Sequence, residues 1–383
     1  MNVNWNYPTS IRAGAGRVKE LGDICRSMNI KAPLLVTDPG LVKMPMVQEL
    51  IGDCKKSGLG IKVFSEIKTN PTGSNVEAGI KAFHTGNHDG VIAFGGGSGL
   101  DAGKAIALAA DQTCSLWDLE DVGDNWMNAN AEKISPIIGI PTTAGTGSEV
   151  GRAAVIINEE QFKKTILFHP RMLPGTVVLD PELSVGLPSK ITAATGMDAL
   201  SHCLEAFCSK VYHPMAEGIA MEGIRLVKEY LPVAVTNGND IEARMQMLVA
   251  SSMGATAFQR GLGASHALAH PLGALYDVHH GLLNAILMPY VLKANYLEIK
   301  LPIERLAPYL KLEPSFESFL DWVLRLRKEI NIPHKLDMLI SDDSCFKDIG
   351  KMAVRDPSAC TNPILHDADT YTSILTNAFN GIL

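Results

Sequence analysis

Apolar positions follow two regimes along the chain. Up to about residue 180, short runs of consecutive aliphatic residues alternate with longer stretches in which apolar residues recur every three or four positions. Residues 32–37 (APLLVT), 60–64, 90–94 (GVIAF) and 137–140 read as strands, and the intervening stretches 41–57 and 74–85 carry helical spacing. That alternation predicts right-handed crossovers and a doubly wound, mostly parallel sheet, which binds ligands at the carboxyl ends of its strands. The character changes near residues 185–188. Beyond them nearly every segment has helical period, including 219–231, 241–258, 283–296 and 316–330, so the pattern predicts an α/β domain over 1–184 and an all-helical domain over 185–383. A length of 383 residues fits two domains better than one core.

Composition narrows the class of protein. With 46% hydrophobic and 20% charged residues, and apolar runs that are short and broken by Gly, Pro or charge, the chain reads as a soluble protein without a membrane span. Its start, MNVNWNYPTSIRAGAG, lacks the basic and apolar regions of an export signal. A net charge of -7 with no basic run argues against nucleic acid as a partner. Seven cysteines without a CxxC pair fit reduced thiols in a cytoplasm, and Cys203 reads as a small buried apolar residue.

The candidate chemistry is concentrated in residues 261–281, GLGASHALAHPLGALYDVHHG, where four histidines stand among Gly, Ala and Leu. His266 and His270 are four apart, which puts both on one face of a helix, and His279 and His280 return once Pro271 and Gly273 let the backbone turn. Imidazole is a common ligand for transition metals, but such a site also calls for an anion. Residues 190–207 supply one: Asp198 and His202 are four apart on another helical stretch, with Glu205 three further on. A surface ion pair and scattered, hydrogen-bonded histidines are the plainer alternatives.

A second cluster lies at strand ends of the α/β region. The strand 90–94 runs into GGGSGLDAGK, and Gly95, Gly96, Gly97 and Ser98 at the start of an Ala-rich helix allow backbone amides and the helix dipole to approach a phosphate. The loop PTTAGTGSEV follows the fourth strand and offers the hydroxyls of Thr142, Thr143, Thr146 and Ser148 at the same edge. Asp38 ends an earlier strand, where it either holds a ribose or opens the turn DPG. Read alone, Lys163 and Lys164 are a solvated pair.

In order along the chain, GGGSGLDAGK, PTTAGTGSEV, GMDALSH, HALAHPLGALYDVHHG and the late CTNPI segment resemble the iron-containing (group III) alcohol dehydrogenase family over essentially the whole sequence. The resemblance implies a dinucleotide-binding α/β domain and a helical domain, with metal and cofactor in the cleft between them and a homodimer or higher homo-oligomer as the unit. It places the metal ligands on Asp198, His202, His266 and His280, and His270 beside the nicotinamide as a participant in proton relay or cofactor positioning. It carries the pyrophosphate turn onto Gly95, Gly96, Gly97 and Ser98, completed by Asp101 and Lys104, and further cofactor contacts onto Asn70, Thr142, Thr143, Thr146 and Lys164. Asp38 matches the acidic position associated with NAD, since a carboxylate accepts from a ribose diol and repels the extra phosphate of NADP. His279, beside the ligand position, is a departure from many members.

The activity implied is reversible hydride transfer between a small primary alcohol or diol, or its aldehyde, and NAD, with ferrous iron or zinc as the divalent metal. A polyol or hydroxy-acid dehydrogenase of the same fold is the near alternative. A dehydroquinate-synthase-type lyase and a non-enzymatic metal-binding protein are the distant ones.

Overall fold

The computed structural model describes residues 7, 9–161 and 163–383, so the first six residues of the predicted α/β domain lie outside it. These residues form two compact units, 7–143 with 147–185, and 144–146 with 186–383.

The first unit runs β1 (Ser10–Ala13), α1 (Leu21–Ser27), β2 (Pro33–Val36), α2 (Pro45–Lys56), β3 (Lys62–Phe64), α3 (Gly73–Thr85), β4 (Gly90–Gly95), α4 (Gly97–Ala109), β5 (Ile137–Pro141), β6 (Ala153–Asn158), β7 (Lys163–Phe168) and β8 (Thr176–Leu179). Six strands form one sheet in the order β1-β8-β5-β4-β2-β3, and every pairing in it is parallel. Successive side chains leave opposite faces of a strand. Accordingly Leu34, Val36, Val91 and Ala93 enter one core with Val76, Phe83 and Ile106 of α3 and α4, whereas Leu35, Ile92 and Phe94 enter another with Ile24, Val47 and Leu50 of α1 and α2. Helices therefore cover both faces, which is why these strands are continuous apolar runs rather than alternating ones.

Three features of this unit depart from the sequence pattern. The span expected as one helix over 41–57 is a 3₁₀ turn, Leu41–Lys43, followed by a helix that begins at Pro45, where a residue without an N–H is tolerated. β1 reads SIRA and is mostly exposed, so it carries no apolar run to detect. Strands β6 and β7 pair antiparallel with each other in a separate two-stranded ribbon.

The second unit is helical throughout: α5 (Ser189–Cys208), α6 (Pro214–Thr236), α7 (Ile241–Ala257), α8 (Ala264–Tyr276), α9 (His280–Ala294), α10 (Tyr296–Leu306), α11 (Phe316–Glu329), α12 (Phe346–Arg355) and α13 (Ala368–Asn380). Helix α5 is its centre. Every residue from Thr192 to Phe207 is buried, and the helix packs on α6, α7 and α9. Among the described residues no helix is long and apolar enough to cross a membrane, and all seven cysteines are free. Cys203 is fully buried, and burial pushes its thiol up to about 12, as expected of an inert core residue.

The turn expected at Pro271 and Gly273 lies further on. The chain does not turn at Pro271 and Gly273, because α8 continues through both to Tyr276. The reversal is made by Asp277, which adopts a left-handed conformation at φ 51°, a geometry that a short polar side chain tolerates.

Candidate metal centre and cofactor turn

Asp198 and His202 project from one face of α5, since a spacing of four is close to one turn. His266 comes from α8, and the donor atoms of these three buried residues lie within 4.8 Å of one another. His280, the first residue of α9, brings its Nε2 to 3.7 Å from Asp198 Oδ1, with His266 Nε2 at 4.0 Å from the same oxygen. The rings pack face to face in two pairs: His202 and His266 with centroids 4.7 Å apart, and His270 and His280 with centroids 5.3 Å apart. His279 is exposed at the N-cap of α9, so of the doubled histidines the structure brings His280 to Asp198.

The glycine after His280 explains how α9 comes so close to α5. A Cβ on Gly281 would stand 2.4 Å from Ala194 O and 3.0 Å from Asp198 Cβ, so only glycine allows this approach.

The electrostatics suit a cation. Burial pushes His202 down to about 4 and His280 well below the ordinary imidazole range, which leaves both rings neutral at pH 7 with lone pairs to donate. Burial alone would raise the Asp198 carboxyl. The facing imidazoles of His202, His280 and His266 and a hydrogen bond from Asn284 outweigh it and hold the acid at about 2. An ionised carboxylate only 3% exposed calls for a compensating charge, and one carboxylate with three imidazoles is a donor set for a divalent transition metal. The residues thus fit such an ion.

Three further residues tie this set down, and sequence reasoning did not assign them. Glu205 lies on the same face of α5 as Asp198 and His202; its Oε2 faces His266 Nδ1 at 2.6 Å, and the carboxylate accepts from the backbone N–H groups of Gly263 and Ser265. Its spacing from His202 was the available signal. Asp356 Oδ2 lies 2.8 Å from His270 Nδ1, and Asn284 Nδ2 lies within hydrogen-bond distance of Asp198, His266 and His280. A carboxylate behind a ligand histidine fixes the ring's orientation and raises its basicity. Glu205→Gln, which keeps the shape and removes the charge, should therefore weaken cation affinity roughly 10–100-fold in a chelator competition while the fold persists; unchanged affinity would remove Glu205 from the site.

Of the residues expected to meet the cofactor, all but Thr146 lie in the α/β unit. Gly95 ends β4 at φ 138°, a conformation that favours glycine, and the chain enters α4 through Gly96, Gly97 and Ser98. Ser98 Oγ donates to Thr69 O, which brings the turn preceding α3, with Asn70 in it, beside the start of α4. Thr142 N donates to Gly95 O at 2.9 Å, and Thr143 packs against Gly96. Asp38 Oδ1 accepts from the amides of Gly40 and Leu41, so it does open the DPG turn, while its Oδ2 lies beside Gly95.

Asp101 and Lys104 face inward. Asp101 accepts from Ser148 Oγ and Val155 N, and the Lys104 ammonium, 1% exposed, donates to the carbonyls of Ser148 and Ala153. These two residues brace the loop after β5 against α4. Lys163 is paired with Glu120, and Lys164 points to the other side of β7 and is half-buried. Thr146 belongs with the helical unit, next to Gly145, whose carbonyl lies 3.2 Å from His202 Nδ1.

Family models match both parts of the chain: iron-containing alcohol dehydrogenase over residues 8–181, and the Fe-containing alcohol dehydrogenase C-terminal region over 192–379. The chain belongs to the iron-containing alcohol dehydrogenase family. Among relatives of this alcohol dehydrogenase, a 4-hydroxybutyrate dehydrogenase of Cupriavidus necator is 41% identical over 295 residues, 76% of each chain. A crystal structure of a 1,3-propanediol oxidoreductase is 32% identical, with a TM-score of 0.94 over 99% of this chain and 100% of that one. The structure of a sulfoacetaldehyde reductase from Bifidobacterium kashiwanohense in complex with NAD+ is 30% identical, with a TM-score of 0.89 over 99% of each.

Proposed function

We propose that this alcohol dehydrogenase interconverts a small primary alcohol or diol and its aldehyde, using NAD and one divalent cation, ferrous iron before zinc. The observation that carries this reading is the convergence of Asp198, His202 and His266 within 4.8 Å, with His280 alongside. A divalent cation on these donors supplies Lewis acidity toward an alcohol or carbonyl oxygen, and NAD supplies the hydride acceptor.

The chain's own part is to prepare both groups. Asp198 supplies the anionic donor, the buried rings of His202 and His280 stay neutral and available, and Glu205 orients His266. His270, held by Asp356, is assigned to contact with nicotinamide or substrate. Gly95, Gly96, Gly97 and Ser98 are assigned to the pyrophosphate, Asp38 to the adenosine ribose, and Asn70, Thr142, Thr143, Thr146 and Lys164 to the rest of the cofactor. Asp101 and Lys104 support that surface through the loop they brace. The division 1–184 and 185–383, a homodimer and a cytoplasmic location belong to the same reading.

A second reading, a dehydrogenase of 4-hydroxy acids, is supported by the 41% identity to the 4-hydroxybutyrate enzyme. NADH formation by protein loaded anaerobically with ferrous iron or zinc, measured across ethanol, 1,3-propanediol and 4-hydroxybutyrate, tests both. The expected result is highest kcat/KM on a neutral alcohol or diol, with NAD preferred over NADP because of Asp38. Highest kcat/KM on 4-hydroxybutyrate would install the second reading, and no NADH from any of them would overturn both.

A further inference from the structure

Asn284 is the residue at the metal centre whose chemistry is least accounted for. It lies one turn beyond His280 on the same face of α9 and is fully buried. Its neighbours on that helix, Leu283, Ala285, Ile286, Leu287 and Met288, are apolar core residues, so a lone carboxamide among them requires a reason. The side chain is aimed at the donors: Nδ2 is 2.9 Å from Asp198 Oδ1, 3.1 Å from His280 Nε2 and 3.2 Å from His266 Nε2.

The hydrogen-bond inventory does not close. A carboxamide nitrogen carries two hydrogens, which cannot serve three acceptors equally, while Asn284 Oδ1 is buried with no hydrogen-bond partner among the described residues. The amide nitrogen and oxygen occupy nearly equivalent volumes, and half a turn about the last side-chain bond exchanges them. With the oxygen turned inward, its lone pairs would meet those of Asp198, His266 and His280 and repel them. A cation among these atoms reverses the sign, because it attracts a carbonyl oxygen and repels N–H hydrogens.

We propose that Asn284 is a fifth side chain of the metal site, presenting its amide oxygen to the cation directly or across one water. This rests on the metal reading given above. It extends the donor set from one carboxylate and three imidazoles to include a neutral oxygen from the same helical face as His280.

Chelator-competition titration of the metal-stripped protein with Zn2+ and Co2+ tests this, together with the visible spectrum of the Co2+ form. Asn284→Leu, nearly isosteric and without an oxygen, should weaken both affinities roughly 10–100-fold and shift the cobalt bands. Asn284→Asp, which keeps an oxygen in place, should bind at least as tightly as the wild type. If the Leu variant does not fold, the smaller Asn284→Ala takes its place with the same expectation. Wild-type affinity and an unshifted cobalt spectrum in the variant lacking the oxygen would reduce Asn284 to a packing residue while leaving the metal reading intact. Failure of the wild-type protein to take up either cation would instead overturn the metal reading and this proposal with it.

Discussion

His202→Ala is expected to abolish metal retention and turnover together. The ring is buried on α5, on the same helical face as Asp198, with its donor atom within 4.8 Å of those of Asp198 and His266. Its loss leaves two imidazoles and one carboxylate, and the buried Asp198 charge then lacks the compensation that a tightly held cation provides. Metal analysis after gel filtration and NADH formation on the same sample read the two effects side by side. His266→Ala should behave alike and in addition leave the Glu205 carboxylate facing a void. Retained metal with full turnover in either variant would end the ligand assignment.

Gly281→Val should have the next largest effect, without removing a donor. The added side chain would have to displace Ala194 O and Asp198 Cβ, so α9 would shift away from α5 and carry His280 with it. Overpacking of this kind costs roughly 1–3 kcal/mol of stability. Cation affinity should fall well beyond what the stability loss alone implies, because the 3.7 Å approach of His280 to Asp198 is what the glycine permits. A thermal melt with and without added Zn2+ reads both: the expected variant melts lower and gains less from the metal than the wild type. An equal gain would show that the helix approach is not what sets the site.

The large features were legible in the sequence because they follow from burial pattern. Strands covered by helices on both faces must be continuous apolar runs, so GVIAF and IIGI announced a parallel sheet. The spacing of four in Asp198 and His202 announced a shared helical face for the same geometric reason. What was not legible depended on pairing across long separations. Strand β1 is nearly all exposed and is a strand because it adds to β8, some 165 residues away, which no local pattern reveals.

The turn before His280 was misplaced because proline and glycine are reliable breakers only where the helix has no packing to sustain it. Residues Ala264 to Gly273 of α8 are buried apart from His270, and that packing carries the helix through Pro271 to Asp277. Similarly, the segment around Asp356 said little on its own. Its role appears once Asp356 reaches His270 and Asn362 Oδ1 accepts from Ala264 N, so that a loop near the C-terminus steadies the helix bearing two of the four clustered histidines. Asn284 escaped notice because an asparagine in an apolar helix has no motif; only the distances to the donors reveal it.

The most direct test of the account is the metal stoichiometry of the anaerobically purified protein, paired with NADH formation before and after chelation. The expected result is one divalent cation per chain and NADH formation that disappears on chelation and returns with ferrous iron or zinc. Full NADH formation from protein shown to hold no metal would contradict it.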